Sequence, residues 1–340
     1  MDTLEMEPIR ERMDRSLFDH VAPAPIVEVP HDHDALIAGI ERLKRERNAV
    51  VLAHYYQTPE IQEFADFVGD SLALAQAADK SKADVILFAG VHFMAETAKI
   101  LNPRRKVLVP DLNAGCSLAD SAPADAFAAF LKEHPDHQVV SYINCSAAVK
   151  AMSDIICTSS NAVKVVESLP KEKPIIFAPD KHLGAYVQRA TGREMLLWDG
   201  VCEVHVDISI DKLKLLIGKH PHAKVIAHPE CPEHILLEAD HIGSTSSLLE
   251  FVQRDPAMEF IVATEAGILH KMRQLVPEKK LIPAPANTNN TCACSECPYM
   301  KLNTVKKVHD ALKFDLNEIM LEEGVRLRAE QALRRMLAVK

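Results

Sequence analysis

Val50-Val51-Leu52-Ala53-His54-Tyr55-Tyr56 opens a pattern that the chain repeats twice more. Four apolar residues with β-branched side chains in front read as a short buried strand. The strand ends on a polar pair, His54 and Tyr56, set two residues apart. Period two in an extended backbone turns both members of such a pair to one side. The arrangement recurs at Val139-Val140-Ser141 with Tyr142 and Asn144, and at Val225-Ile226-Ala227 with His228 and Glu230.

Downstream of each strand the register holds. Twelve residues separate His54 from Asp66, Tyr142 from Asp154 and His228 from Asp240, and a hydroxyl follows each aspartate by five: Ser71, Ser159 and Thr245. Unrelated segments seldom agree at so many chemically similar positions, so three copies of one folding unit are expected. Each copy continues helix, strand, helix, strand. The middle strands fall at 85–88, 175–177 and 260–262, and the closing strands at 107–109, 195–197 and 281–282. Short β-rich runs alternating with helices predict parallel sheets covered by helices. The expected fold is α/β, with three repeated α/β/α units around a pseudo-threefold axis and the active site at the centre. The units are expected over residues 34–118, 119–205 and 206–297. An N-terminal extension over 1–33 precedes them, and helices in 298–340 are expected to pack on the outside of the first unit, with a break near 314–317.

A cysteine follows each closing strand: Cys116, Cys202, and a thiol-dense loop, Cys292-Ala293-Cys294-Ser295-Glu296-Cys297-Pro298. In parallel α/β sheets the ligand site forms at the carboxyl ends of the strands. Three such units therefore bring three polar pairs, three helix starts and three thiols to one centre. Three thiolates can hold an iron–sulfur cubane with one iron left free of protein, and that iron is a Lewis acid. Singly, Cys116 and Cys202 would read as ordinary buried cysteines; their matching places in the repeat favour the ligand reading. Cys145, Cys157 and Cys231 stand elsewhere in their units and read as core or near-site residues. Ser71, Ser159 and Thr245 read first as helix N-caps, and helix N-termini also attract anions through free N–H groups. His54, Tyr56, His228 and Glu230 are titratable groups at strand ends, suited to proton transfer. Lys181 reads equally well as an anion contact or a loop charge.

Composition removes several other classes. A formal charge of −9 over 340 residues lacks the basic stripe of a nucleic-acid binder. Only 11 glycines occur, without GxGxxG or GxxxxGK[ST], which argues against a glycine-loop nucleotide site. The apolar run from Ala83 to Ala98 is broken by Asp84, His92 and Glu96, so no membrane span is expected. Asp2, Glu5, Glu7, Arg10 and Glu11 leave no room for an apolar signal core, and a cytoplasmic location is expected. Eight cysteines in such a chain read as reduced thiols that serve a metal or chemistry. The His31-Asp32-His33-Asp34 cluster reads as a solvated helix lead-in with Asp34 as N-cap.

Ala53-His54-Tyr55-Tyr56-Gln57, Gly69-Asp70-Ser71, Gly90-Val91-His92-Phe93-Met94-Ala95-Glu96-Thr97-Ala98, Pro179-Asp180-Lys181, His228-Pro229-Glu230-Cys231 and the closing cysteine loop occur in that order. Together, from about Asp34 to the C-terminus, they resemble the quinolinate synthase family. The resemblance implies a [4Fe-4S] enzyme of de novo NAD synthesis, a condensing and dehydrating transferase. Its substrates would be iminoaspartate and dihydroxyacetone phosphate, and its products quinolinate, phosphate and two waters. One cluster per chain would be held by Cys116, Cys202 and Cys297. Substrate contacts would come from His54, Ser71, Tyr142, Asn144, Ser159, His228, Glu230 and Thr245. Acid–base roles fall to Tyr56, Glu230 and His205, to which His228 is added from its strand-end position. The CxCxxC spacing gives Cys292 and Cys294 no family role, and they read as spare thiols that pair under oxidation. The enzyme that makes iminoaspartate is a candidate partner. Two other readings stand beside this one. A [4Fe-4S] hydro-lyase of another pathway would share the open iron, and a zinc-binding structural module would account for the cysteine loop but not for Cys116 and Cys202.

Overall fold

The computed structural model describes residues 33–287 and 295–339. Three four-stranded sheets, all parallel, carry the fold. The first contains β1 (Ala49–His54), β2 (Phe67–Gly69), β3 (Val85–Ala89) and β4 (Lys106–Leu108) in the order β2-β1-β3-β4. The second contains β5 (Gln138–Tyr142), β6 (Ile155–Cys157), β7 (Ile175–Ala178) and β8 (Leu196–Leu197), ordered β6-β5-β7-β8. The third contains β9 (Lys224–Ala227), β10 (His241–Ile242), β11 (Glu259–Ala263) and β12 (Lys280–Pro283), ordered β10-β9-β11-β12. Helices cover both faces, so central strands such as β3, Val-Ile-Leu-Phe-Ala, are buried along their whole length.

Each sheet has one strand more than the periodicity predicts. The additional strands, β2, β6 and β10, are only two or three residues long and lie between the repeated aspartate and the repeated hydroxyl. The aspartates explain them. Asp66 Oδ2 accepts from the backbone N–H of Val51 at 2.7 Å, Asp154 from Val139 at 2.8 Å and Asp240 from Val225 at 2.8 Å. In return each aspartate's own N–H donates to the carbonyl of the same partner. One carboxylate per sheet thus clamps the short edge strand to the central one.

The helix Val305–Phe314 packs against the helix His33–Glu46 and β3. The last helix, Glu323–Ala338, lies across the helix Ala147–Ala151, β6 and the helix His92–Leu101. It therefore joins the first unit to the second and does not pack on the first alone, burying Ala329, Ala332, Leu333 and Met336 in a core the two sheets share. Asp34 lies within the first turn of its helix, which already begins at His33. His31, Asp32, Cys292 and Cys294 lie outside the described residues.

Candidate active site

The carboxyl ends of the central strands of all three sheets open on one cavity with about 640 Å³ of atom-free space, its mouth included. That is within the size range of small-molecule sites, roughly 300–1,000 Å³. The thirteen residues expected to hold the cluster, contact substrate or move protons all line it: His54, Tyr56, Ser71, Cys116, Tyr142, Asn144, Ser159, Cys202, His205, His228, Glu230, Thr245 and Cys297. Lys181 does not. It opens the helix Lys181–Thr191 and pairs at 2.7 Å with Asp199 on the surface.

The two strand-end histidines are oriented in the same way. His54 Nδ1 accepts from the backbone N–H of Tyr56 at 3.2 Å, and His228 Nδ1 from that of Glu230 at 3.4 Å. This bond within the polar pair leaves Nε2 for the cavity, where His228 meets Ser159 Oγ at 3.1 Å. Burial disfavours the imidazolium and lowers His54 to about 4 and His228 to about 3. Both rings are neutral at physiological pH.

Glu230 is buried between donors from two sheets. Its Oε1 accepts from the Tyr142 hydroxyl at 2.5 Å, and Oε2 lies 3.0 Å from His205 Nδ1. Burial alone would raise this carboxyl, but His205 beside it and the Tyr142 hydroxyl hold it below the usual carboxylate range. Tyr56 and Tyr142 move the other way, well above the usual tyrosine value, through burial and the charge of Glu230. The site therefore pairs a persistent carboxylate with two phenols that keep their protons. Thr264, at the end of β11, was not legible in the sequence. Its hydroxyl lies 2.8 Å from Tyr56 Oη and 2.9 Å from His205 Nε2, tying the first polar pair to the third unit.

The three thiols line the same cavity as this acid–base group, and donor atoms of Cys202, His205 and Glu230 all lie within 4.8 Å of one another. Cys116 and Cys202 occupy the N-cap positions of the short helices Ser117–Asp120 and Glu203–Val206. Backbone N–H groups of Leu118 and Ala119 face the Cys116 sulfur, that of His205 faces Cys202, and those of Tyr299 and Met300 face Cys297. Burial raises all three thiols, Cys297 to about 11, so without a cation they stay protonated. Three sulfurs lining one cavity, each with backbone N–H groups nearby, fit the ligand set of an iron–sulfur cluster. Glu265, a second residue hidden from the sequence reading, holds the third thiol in place. It accepts from the N–H of Cys297 at 3.0 Å and of Gly267 at 2.6 Å, and pairs with Lys301 at 2.9 Å. A Cβ on Gly267 would come within 2.9 Å of the Tyr56 backbone, so only glycine fits there.

The repeated hydroxyls correct one expectation. They are not the caps. Asp70 and Ser244 cap the helices that begin at Ser71 and Thr245, accepting from Ala73 and Ser247, and Asn161 stands at the N-cap after Ser159. Because the preceding residue caps at Asp70 and Ser244, and Asn161 takes the N-cap position without a side-chain capping bond, Ser71, Ser159 and Thr245 are left to line the cavity.

With this geometry in hand, comparison with known proteins gives a consistent result. The family described as "Quinolinate synthetase A protein" matches residues 38–338. A quinolinate synthase from Nostoc punctiforme is 61% identical over 310 residues, covering 91% of this chain and 94% of its own length. Quinolinate synthases from a Synechococcus species and from Thermosynechococcus vestitus are each 56% identical, covering 94% and 92% of this chain and 98% and 97% of theirs.

Proposed function

The chain belongs to the quinolinate synthase family, and from that premise we propose how its cavity joins iminoaspartate to dihydroxyacetone phosphate, giving quinolinate, phosphate and two waters for NAD biosynthesis. One arrangement carries the proposal: three sheets each send a thiol, a hydroxyl and a polar pair into a single cavity. Two carboxylates and a phosphate on the substrates match the three hydroxyl-bearing turns at Ser71, Ser159 and Thr245, with Asn144, His54 and His228 as further neutral donors. Neutral imidazoles are the better choice here, since each can donate from Nε2 without a desolvated charge.

Cys116, Cys202 and Cys297 would hold a [4Fe-4S] cluster, which when bound supplies a Lewis acid at its unligated iron. The remaining steps belong to side chains. Glu230, kept ionised, accepts a proton from the carbon beside the imine as that carbon becomes nucleophilic. Tyr56, kept protonated, returns a proton to a departing oxygen, and Thr264 and His205 hold its hydroxyl in place. Tyr142 orients Glu230 through the 2.5 Å hydrogen bond. The mostly buried lining limits the water that reaches the imine, and direct transfer from an enzyme that forms iminoaspartate would serve the same end. The site suits a cytoplasmic enzyme, whose thiols stay reduced; among the described residues no helix is long and apolar enough to cross a membrane.

The test is purification without oxygen, followed by iron analysis and assay of quinolinate from the two substrates. About four irons per chain and quinolinate formation are expected. Cys116→Ser, Cys202→Ser and Cys297→Ser should each lose the iron, while Cys145→Ser, Cys157→Ser and Cys231→Ser keep it. A colourless protein with one zinc and no quinolinate would overturn the proposal.

A further inference from the structure

At the mouth of the cavity one carboxylate touches all three units. Asp70 Oδ1 accepts from the backbone N–H of Ala73 at 2.8 Å, an ordinary helix cap. Its Oδ2 accepts two more hydrogen bonds, from Ser160 Oγ and from Ser246 Oγ, both at 2.7 Å. Ser160 lies in the turn after β6, in the second unit, and Ser246 in the first turn of the helix Thr245–Arg254, in the third. Asp70 is 6% exposed, whereas Ser160 is exposed and Ser246 half-buried, so the contact stands where the cavity meets solvent.

The placement is systematic. Asp70 immediately precedes Ser71, Ser160 follows Ser159, and Ser246 follows Thr245. Each member of the junction is thus the chain neighbour of one of the hydroxyls lining the cavity. Capping does not explain the negative charge, because the N-cap positions of the other two helices carry the neutral Ser244 and Asn161. A bare carboxylate beside an anion site would repel the substrates. Here both of its oxygens are occupied by donors, and hydrogen bonds to a carboxylate are about twice as strong as neutral ones.

We propose that Asp70 is a latch. It draws the turns bearing Ser159 and Thr245 onto the Ser71 helix, so that the three hydroxyls converge and the mouth closes over the substrates. The inference rests on the reading of those hydroxyls as substrate contacts, and it makes Asp70 a positioning residue. Entry and product release then require the two serine bonds to break, which frees the second and third units from the first at the mouth.

Two variants of the cluster-loaded enzyme test this. Ser160→Ala/Ser246→Ala removes both bonds and leaves the Asp70 cap intact. Asp70→Ser keeps a capping oxygen and removes the acceptor for the two serines. In both, amide hydrogen exchange across 158–161 and 244–247 should quicken by about tenfold, with iron content unchanged. KM for dihydroxyacetone phosphate should rise by about tenfold while kcat stays within about threefold, the pattern of lost binding organisation and not lost chemistry. Unchanged exchange in both variants overturns the latch. A fall in melting temperature confined to Asp70→Ser, with the double variant silent, reduces Asp70 to a cap and overturns it equally. Faster exchange with an unmoved KM leaves the latch standing and overturns instead the assignment of Ser159 and Thr245 to substrate.

Discussion

Glu230 and Tyr56 occupy equivalent places in the repeat but are poised in opposite ways, and the reason is their surroundings. Both are buried. Burial pushes the phenol up, and the charge of Glu230 pushes it further. For Glu230 the burial cost is overcome by His205 and the Tyr142 hydroxyl, which hold the carboxyl below its usual range. Because its depressed value lies far below neutrality, the carboxylate does not titrate in the working range of the enzyme. Glu230→Gln keeps the shape and removes the charge, so turnover should fall by roughly a hundredfold, the usual scale for a positioned acid or base. The ratio of wild-type to variant turnover should stay flat between roughly pH 6 and pH 9, since no proton is gained or lost at this position there. Tyr56→Phe should fall by a similar factor, with cluster content and quinolinate binding intact. Turnover of Glu230→Gln near the wild-type value, measured per bound cluster, would remove the residue from the chemistry.

At the scale of elements, the loops after β11 and β12 meet through Glu265, which receives the amides of Cys297 and Gly267 and the ammonium of Lys301. Lys301 also donates to the Tyr56 carbonyl at 2.7 Å, so the same carboxylate ties the third thiol to the first polar pair. Glu265→Ala would leave buried donors unpaired and the Cys297 loop unsupported. Metal affinity should drop by about 10–100-fold, the usual cost of losing a group that orients a ligand, while Glu265→Gln retains most of it; iron bound per chain after dialysis against a graded chelator series measures the difference. The sequence could not single out Glu265 or Thr264, because one acid and one hydroxyl after an apolar strand look like any strand exit. The strand-end pairs and the thiols were legible because they recur at fixed distances. The edge strands β2, β6 and β10 were not, since two or three residues carry no period and owe their pairing to the aspartate clamps. The hydroxyls were placed correctly in space but one step off in role, as Asp70 and Ser244 are equally good caps and stand just ahead of them.

Across the whole molecule the three units are unequally joined. The first and second sheets share an apolar core with the last helix, running from Leu52 through Val140 to Met336. The third unit instead builds cores of its own, one around Ile226, Leu248 and Phe260 and one around Val225, Ile235 and Ile261, with Tyr55 and Tyr56 packed against the former. Polar contacts also tie it to the rest, such as Tyr142 to Glu230, Ser159 to His228 and Lys301 to Glu265. Two thiols of the candidate ligand set, Cys116 and Cys202, belong to the first and second units, and Cys297 follows the third. A cluster held by all three would therefore act as a staple, and its binding free energy would add to the stability of the closed assembly. Removing iron with oxidant and chelator should lower the melting temperature by roughly 5 °C, the shift that a few kcal/mol produces in a chain of this length. The loss should not be uniform. Amide exchange should quicken most in 224–283, the third sheet, and least in the core shared by the first two. Cys116→Ser, Cys202→Ser and Cys297→Ser should each reproduce the whole effect, and combining them should add little, because one missing ligand already releases the staple. A change spread evenly over the three sheets, or three single variants whose effects sum, would show instead that the thiols stabilise the fold one by one.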